Sequence, residues 1–306
     1  DVRKSVKISL AIVGLVVVLV AAVAAGLLLW RPSFLSGPEC TVPGDAANPA
    51  VSPTVELTVV QLQHASTINA VGLARAVPER GRIIALATAY QESNLRNRPN
   101  GDRDSVGLFQ QRPSQGWGTV EQIMDPIYAA GKFYDALLEV QNWPDLPLTE
   151  AAQAVQYSGF PDAYAKWEPQ ATTLVRGLSG ASELTLNCGA GARQPTSDTP
   201  ARPAPPGSDN ATPELTAVLA AAQAELGGLR IDTVASDGLS ATVTSAVPEL
   251  DPAAAGRALA AWSVAHATSM QIADISVQDR KWSDHDWQSA PSLSDPAQVQ
   301  ITVAEQ

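Results

Sequence analysis

Residues 82–118 read RIIALATAYQESNLRNRPNGDRDSVGLFQQRPSQGWG. The run Arg82–Tyr90 is apolar and Ala-rich, which predicts a buried helix. The segment after Glu92 is rich in Gly, Asn, Asp and Pro, which predicts a loop. Glu92 therefore falls where a buried helix stops. Two effects of the same sign act on a carboxyl there: apolar neighbours disfavour its charged form, and so does the negative end of the helix dipole. Both raise its pKa, as a general acid working near neutral pH requires. A lone Glu at a helix end is most often a solvated terminus, so the weight rests on the pattern around it.

That pattern is an ordered series. Gln91-Glu92-Ser93 is followed by a polar loop, then by Gly107-Leu108-Phe109-Gln110, and later by Tyr157-Ser158-Gly159 within QAVQYSGFPDAYAKW. Over about residues 57–178 the series resembles the lytic transglycosylases and goose-type lysozymes. The run GLFQQRPSQGWG at 107–118 is also similar to one shared by a group of membrane-anchored actinobacterial proteins. The resemblance implies a mainly α, lysozyme-like domain in which Glu92 is the catalytic acid and Ser93 orients it or the loop. Gln110, Gln111, Tyr157 and Ser158 are then implied as substrate-binding residues of a sugar cleft. Two positions depart from the family pattern: Phe109 stands where Met is usual, and Ser158 where a substrate-contacting Asn is usual. The family works with one Glu, using the substrate's own acetamido or 6-hydroxyl group. Asp102, Asp104 and Asp162 are the candidates if a second carboxylate is needed.

The chain has 306 residues, room for about two domains beyond any tail. Residues 8–30 (ISLAIVGLVVVLVAAVAAGLLLW) are apolar apart from Ser9, and as a helix they would span roughly 35 Å, enough for a bilayer core. A cleavable signal has a shorter apolar region, so an anchor is favoured, with cleavage near 21–25 as the alternative. Arg3, Lys4 and Lys7 precede the span and Arg31 alone follows it closely. The positive-inside bias then puts residues 1–7 in the cytoplasm and the rest outside, at the cell membrane. Asp1 in place of Met marks the start as processed or incomplete.

Cys40 and Cys188 bracket the family-like region. Outside a membrane they favour a disulfide, closing a loop of about 150 residues worth roughly 4–5 kcal/mol in the chain-entropy model; two unpaired thiols are the alternative. Three scattered histidines (His64, His266, His285) give no zinc spacing, so no metal and no cofactor are expected. Asn100–Asp104 is only weakly like a calcium loop and lacks the bidentate Glu. A net charge of −11, from 31 acidic and 20 basic residues, excludes a nucleic-acid partner that needs a basic face.

Residues 31–55, with five prolines, predict an extended stalk. Residues 56–188 predict the helical domain, with helices over Glu56–Ala76, Val120–Val140, Glu150–Gln156 and Ala163–Leu178. Residues 189–212 are Pro-rich and predict a linker. From 213 to 306 the pattern predicts a small α+β sandwich domain of order α-β-β-α-β-β, its second helix capped by Asp251-Pro252. Its tryptophans, Trp262, Trp282 and Trp287, are expected in packing rather than in a ligand site.

The expected function is a membrane-anchored peptidoglycan glycosidase, of lytic transglycosylase or muramidase type. It would cleave the β-1,4 bond between N-acetylmuramic acid and N-acetylglucosamine. The alternative is a non-catalytic peptidoglycan-binding or scaffolding protein. In either case the partners are glycan strands and the membrane, with the C-terminal domain as the candidate surface for a protein partner.

Overall fold

A computed structural model describes residues 39–157, 161–181, 183–189 and 202–305. The run 8–30 lies outside them, as does Ser158. Among the described residues no helix is long and apolar enough to cross a membrane.

Helix boundaries track local chemistry. Helix α1 (Val59–Ala74) starts at Thr58, whose hydroxyl accepts from the Gln61 amide while the Gln61 side chain caps Thr58 in return. Helix α2 (Glu79–Ser93) carries the apolar run and is buried along nearly its whole length. The expected helix over 120–140 is two helices, α3 (Val120–Met124) and α4 (Pro126–Glu139). Asp125 breaks it: its carboxylate accepts from the Ile127 amide, and Pro126 has no N–H to continue the ladder. Helices α5 (Leu148–Gln156) and α6 (Glu168–Leu178) complete this half.

The architecture corrects the fold class expected from the sequence. Among the described residues, eight helices and nine strands in two antiparallel sheets make an α+β fold, not a mainly α one. Strands β1 (Cys40–Val42), β2 (Val55–Leu57) and β3 (Asn187–Cys188) form a three-stranded sheet of order β2-β1-β3. The span read as stalk and helix start thus supplies two strands. Cys40 lies directly opposite Cys188 in this sheet, and the two are joined as a disulfide. Strands of two and three residues leave no alternation to detect, and their pairing joins residues 148 apart.

The second sheet belongs to the C-terminal region. Helix α7 (Pro213–Leu226) leads into β4 (Leu229–Val234) and β5 (Ser240–Ser245), then α8 (Pro252–Met270), β6 (Ile272–Val277), β7 (Arg280–Ser283), β8 (Asp286–Ser289) and β9 (Gln298–Val303). The sheet order is β4-β5-β9-β6-β7-β8. Ala241, Val243, Val299 and Ile301 alternate inward from β5 and β9. Asp251 caps α8 by accepting from the Ala254 amide, with Pro252 at its first position.

The described residues form one compact unit. Helix α1 packs on α2 and α4 on one side and on α7 and α8 on the other, so a single buried cluster runs from Leu62 and Phe133 to Trp262 and Ile301. The three C-terminal tryptophans are structural. Trp262 is buried against Glu225, while the indoles of Trp282 and Trp287 donate to Asn187 Oδ1 and the Leu186 carbonyl, fastening the β3 strand.

Candidate functional site

Helix α2 ends at Asn94, whose left-handed backbone (φ 56°) is followed by a second left-handed residue, the fully buried Leu95. Two such residues in succession cost backbone free energy, on the order of 1–3 kcal/mol each outside Gly. Helix α1 holds the turn closed. Gln61 Nε2 donates to the Asn94 carbonyl at 3.1 Å, and His64 Nδ1 lies 2.8 Å from the Leu95 carbonyl. Glu92 sits on the last turn, half-buried, above this clamp.

The Glu92 carboxyl is held above its ordinary pKa by burial, and a hydrogen bond from Tyr164 opposes that rise. Tyr164 is fully buried and donates its hydroxyl to Glu92 Oε1 at 2.7 Å. Three residues on, the Trp167 indole donates to Gln91 Oε1 at 3.0 Å and stacks on Tyr90 at 4.9 Å between centroids. One turn of chain thus grips three consecutive residues of the helix end. Sequence reasoning missed both aromatics. Their i, i+3 spacing in AYAKW, with two rings on one side of a tight turn, was the available signal.

Ser93 is buried, not open to a cleft. Its hydroxyl lies 2.8 Å from the Leu108 carbonyl and 3.1 Å from that of Ala89, and it accepts from the Arg96 amide. It therefore ties the helix to the 107–110 loop. Gly107 has φ 82° and gives its N–H to the Arg98 carbonyl. Gln110, also left-handed, donates Nε2 to the Gly107 carbonyl and accepts from Ser105. Gln111 is buried and donates to the Ala129 carbonyl, so it faces the core. Phe109 is fully buried and stacks on Phe133 at 4.6 Å, which is where the larger ring at this position goes. The Gln156 side chain reaches the Phe109 carbonyl from α5, and Tyr157, which ends that helix with φ 50°, is 86% exposed.

Among the expected residues, then, Glu92, Ser93 and Gln110 are brought together around the helix end and its loop. Gln111 is turned away, Tyr157 stands in solvent, and Ser158 lies outside the described residues. The carboxylates considered as a second acid are otherwise engaged or exposed. Asp104 accepts from the Ser114 amide at 2.9 Å and from Arg112 at 2.6 Å, and hydrogen bonds from Ser114 first, then Arg112, hold its carboxyl well below the usual range. Asp102 and Asp162 are exposed. Among the described residues no three His, Cys, Asp or Glu side chains converge as a metal site.

A second buried titratable pair lies where α1, α7 and α8 meet. Glu225 accepts from the Trp262 indole at 2.8 Å and lies 3.6 Å from His266 Nε2. Burial pushes the Glu225 carboxyl up to about 7, against hydrogen bonds from Trp262 and Thr67, and lowers His266 to about 4. No family model matches the chain, and no curated protein matches it.

Proposed function

We propose that the protein is a peptidoglycan glycosidase of lytic transglycosylase or muramidase type, working at the outer face of the cell membrane with residues 8–30 as its anchor. The observation that carries this reading is the Glu92 carboxyl, raised in pKa by burial at a helix end and given a fixed orientation by the Tyr164 hydroxyl. A protonated acid held in one orientation suits delivery of a proton to a glycosidic oxygen. As the bond between N-acetylmuramic acid and N-acetylglucosamine breaks, Glu92 becomes a carboxylate. It then takes a proton from the muramyl 6-hydroxyl, giving the anhydro product, or from water, giving a reducing end. The clamp from Gln61 and His64 supports this reading by holding the turn that ends the Glu92 helix.

The rival is a glycan-binding scaffold, favoured by one observation: the Tyr164 hydroxyl donates to Glu92 and favours its carboxylate form, which works against proton delivery. The full chain incubated with peptidoglycan and analysed by mass spectrometry separates the two. Anhydro-muropeptides or new reducing ends, both lost in Glu92→Gln, support the glycosidase. No turnover with glycan binding intact in both proteins sinks it and leaves the scaffold.

A further inference from the structure

A cavity of about 500 Å³ lies beside the Glu92 helix, and the glycosidase reading leaves it without a role. That volume is within the range of small-molecule sites. Tyr90 on α2 and Asn94, the left-handed residue that ends that helix, both line it. Glu92 is turned roughly 200° away from Tyr90, so the cavity and the acid occupy different sides. Trp167 lines the same cavity, stacked on Tyr90, with its indole N–H spent on Gln91.

The polar groups give the cavity a sign. Glu56 projects outward from β2 between the inward-facing Val55 and Leu57, and among the described residues it has no ion-pair partner. Gln61 is already used: its Nε2 serves the Asn94 carbonyl and its Oε1 accepts from Thr58. The groups left for a guest are one carboxylate and the carboxamides of Asn94 and Gln170, beside an aromatic wall. Among the described residues no Lys or Arg lines the cavity. Lys166, outside the lining, holds its Nζ 5.2 Å from the Trp167 ring centroid, so this ring tolerates an ammonium close by.

We propose that this cavity binds a primary ammonium group carried on an aliphatic stem, with Glu56 taking the charge and the Tyr90–Trp167 wall packing the methylenes. An aliphatic amine matches both parts of the lining, because its stem favours apolar contact while its head requires a counter-charge. In a wall polymer the peptide attached to the glycan supplies such a group from a diamino acid. That extension rests on the glycosidase reading, whereas the binding itself does not.

The test is a titration of the full chain with N-acetyl-lysine methylamide, against N-acetyl-norleucine methylamide as the analogue without the ammonium. The signal is the ¹⁵N–¹H resonance of the Trp167 indole, assigned by Trp167→Phe. The lysine derivative is expected to shift it saturably, with affinity about tenfold or more above that of the norleucine derivative, and Glu56→Gln is expected to weaken binding by a similar factor. Glu92→Gln leaves the titration unchanged. Equal binding of the two compounds, an unaltered titration in Glu56→Gln, or no shift at millimolar ligand overturns the proposal. Glycan turnover is read separately, so loss of the catalytic reading leaves this result standing.

Discussion

Tyr164 places its hydroxyl 2.7 Å from Glu92 Oε1 across 72 residues of chain, and the two groups act on the same proton in opposite directions. Burial favours the neutral acid and the phenol favours the carboxylate. Removing the phenol in Tyr164→Phe leaves only the first effect, so the Glu92 pKa rises further. A general acid must be protonated, so activity falls as pH rises through that pKa. The alkaline limb of the pH–rate profile is therefore expected to move upward in Tyr164→Phe, by about one unit for a lost hydrogen bond to a charged group. A downward shift, or none, would mean that Tyr164 does not act on the acid.

The same raised pKa makes a stability prediction. A group whose folded pKa lies above its ordinary value contributes stability that is present below that ordinary value and lost as pH rises through the folded one. At neutral pH the Glu92 carboxyl therefore works against folding, and Glu92→Gln should melt higher than wild type at pH 8 with little difference at pH 4. Equal melting temperatures at both pH values would contradict the burial argument.

Gln110 and Gln111 are adjacent but face different surroundings, and their substitutions should separate. Gln111→Ala removes a buried donor from the Ala129 carbonyl, which costs about 1–3 kcal/mol and lowers the melting temperature without altering glycan affinity in the folded protein. Gln110→Ala removes a half-buried side chain, while the Ser105 hydroxyl keeps its bond to the Asp102 carbonyl, and should act on substrate affinity rather than on stability. Thermal melts of both variants alongside glycan-binding measurements check the assignment. Weak glycan binding by a stable Gln111→Ala would return that residue to the cleft.

The features legible in the sequence were local. The C-terminal helices were readable because Thr212-Pro213 and Asp251-Pro252 announce their starts, and the β4–β5 turn because Ser236-Asp237-Gly238 supplies the left-handed Gly that a tight turn needs. The β7–β8 hairpin was hidden. Its turn is made by Asp284 and His285, both at positive φ with no Gly to mark them, and its strands are four residues each. At the site, Glu92 and its helix end were visible from the run of apolar residues. The groups that hold them, Tyr164 on Glu92 and Gln61 and His64 on the Asn94 and Leu95 carbonyls, were not, because each arrives from another element and no local pattern encodes that contact. Gln111 was misplaced for a related reason: one position along an irregular loop reverses the direction of a side chain.

The Cys40–Cys188 bridge fixes the shortest strand among the described residues. β3 has two residues, and β1 is its one neighbour in the sheet as described. Cys40→Ser with Cys188→Ser should cost about 2–5 kcal/mol. The loss should appear first as faster amide exchange in 183–189, where the Asn187 side chain and the Leu186 carbonyl still meet Trp282 and Trp287. Unchanged exchange there, with the global melt lowered, would assign the stabilisation to the unfolded chain alone.

Glu225 and His266 should cancel each other's pH dependence. Glu225 is raised to about 7 from an ordinary 4.5, so its contribution is complete below 4.5 and is lost as pH rises to 7. His266 is lowered to about 4 from 6.5, so its contribution is complete above 6.5 and is lost as pH falls to 4. Between 4.5 and 6.5 the two slopes are opposite, and folding moves a proton from the imidazole to the carboxyl with no net uptake. Thr67 is neutral, Arg202 and Asp125 form a salt bridge with each other, and β9 carries no titratable side chain. Glu225→Gln leaves the histidine alone, and its stability relative to wild type should climb with pH from 4.5 to 6.5. His266→Gln leaves the carboxyl alone, and its relative stability should fall over the same window. Each slope approaches about 1.4 kcal/mol per pH unit where the remaining group is charged only in the unfolded chain. Denaturant melts of the three proteins at pH 4.5, 5.5 and 6.5 decide it. Parallel profiles in both variants would show that the buried pair does not titrate on folding.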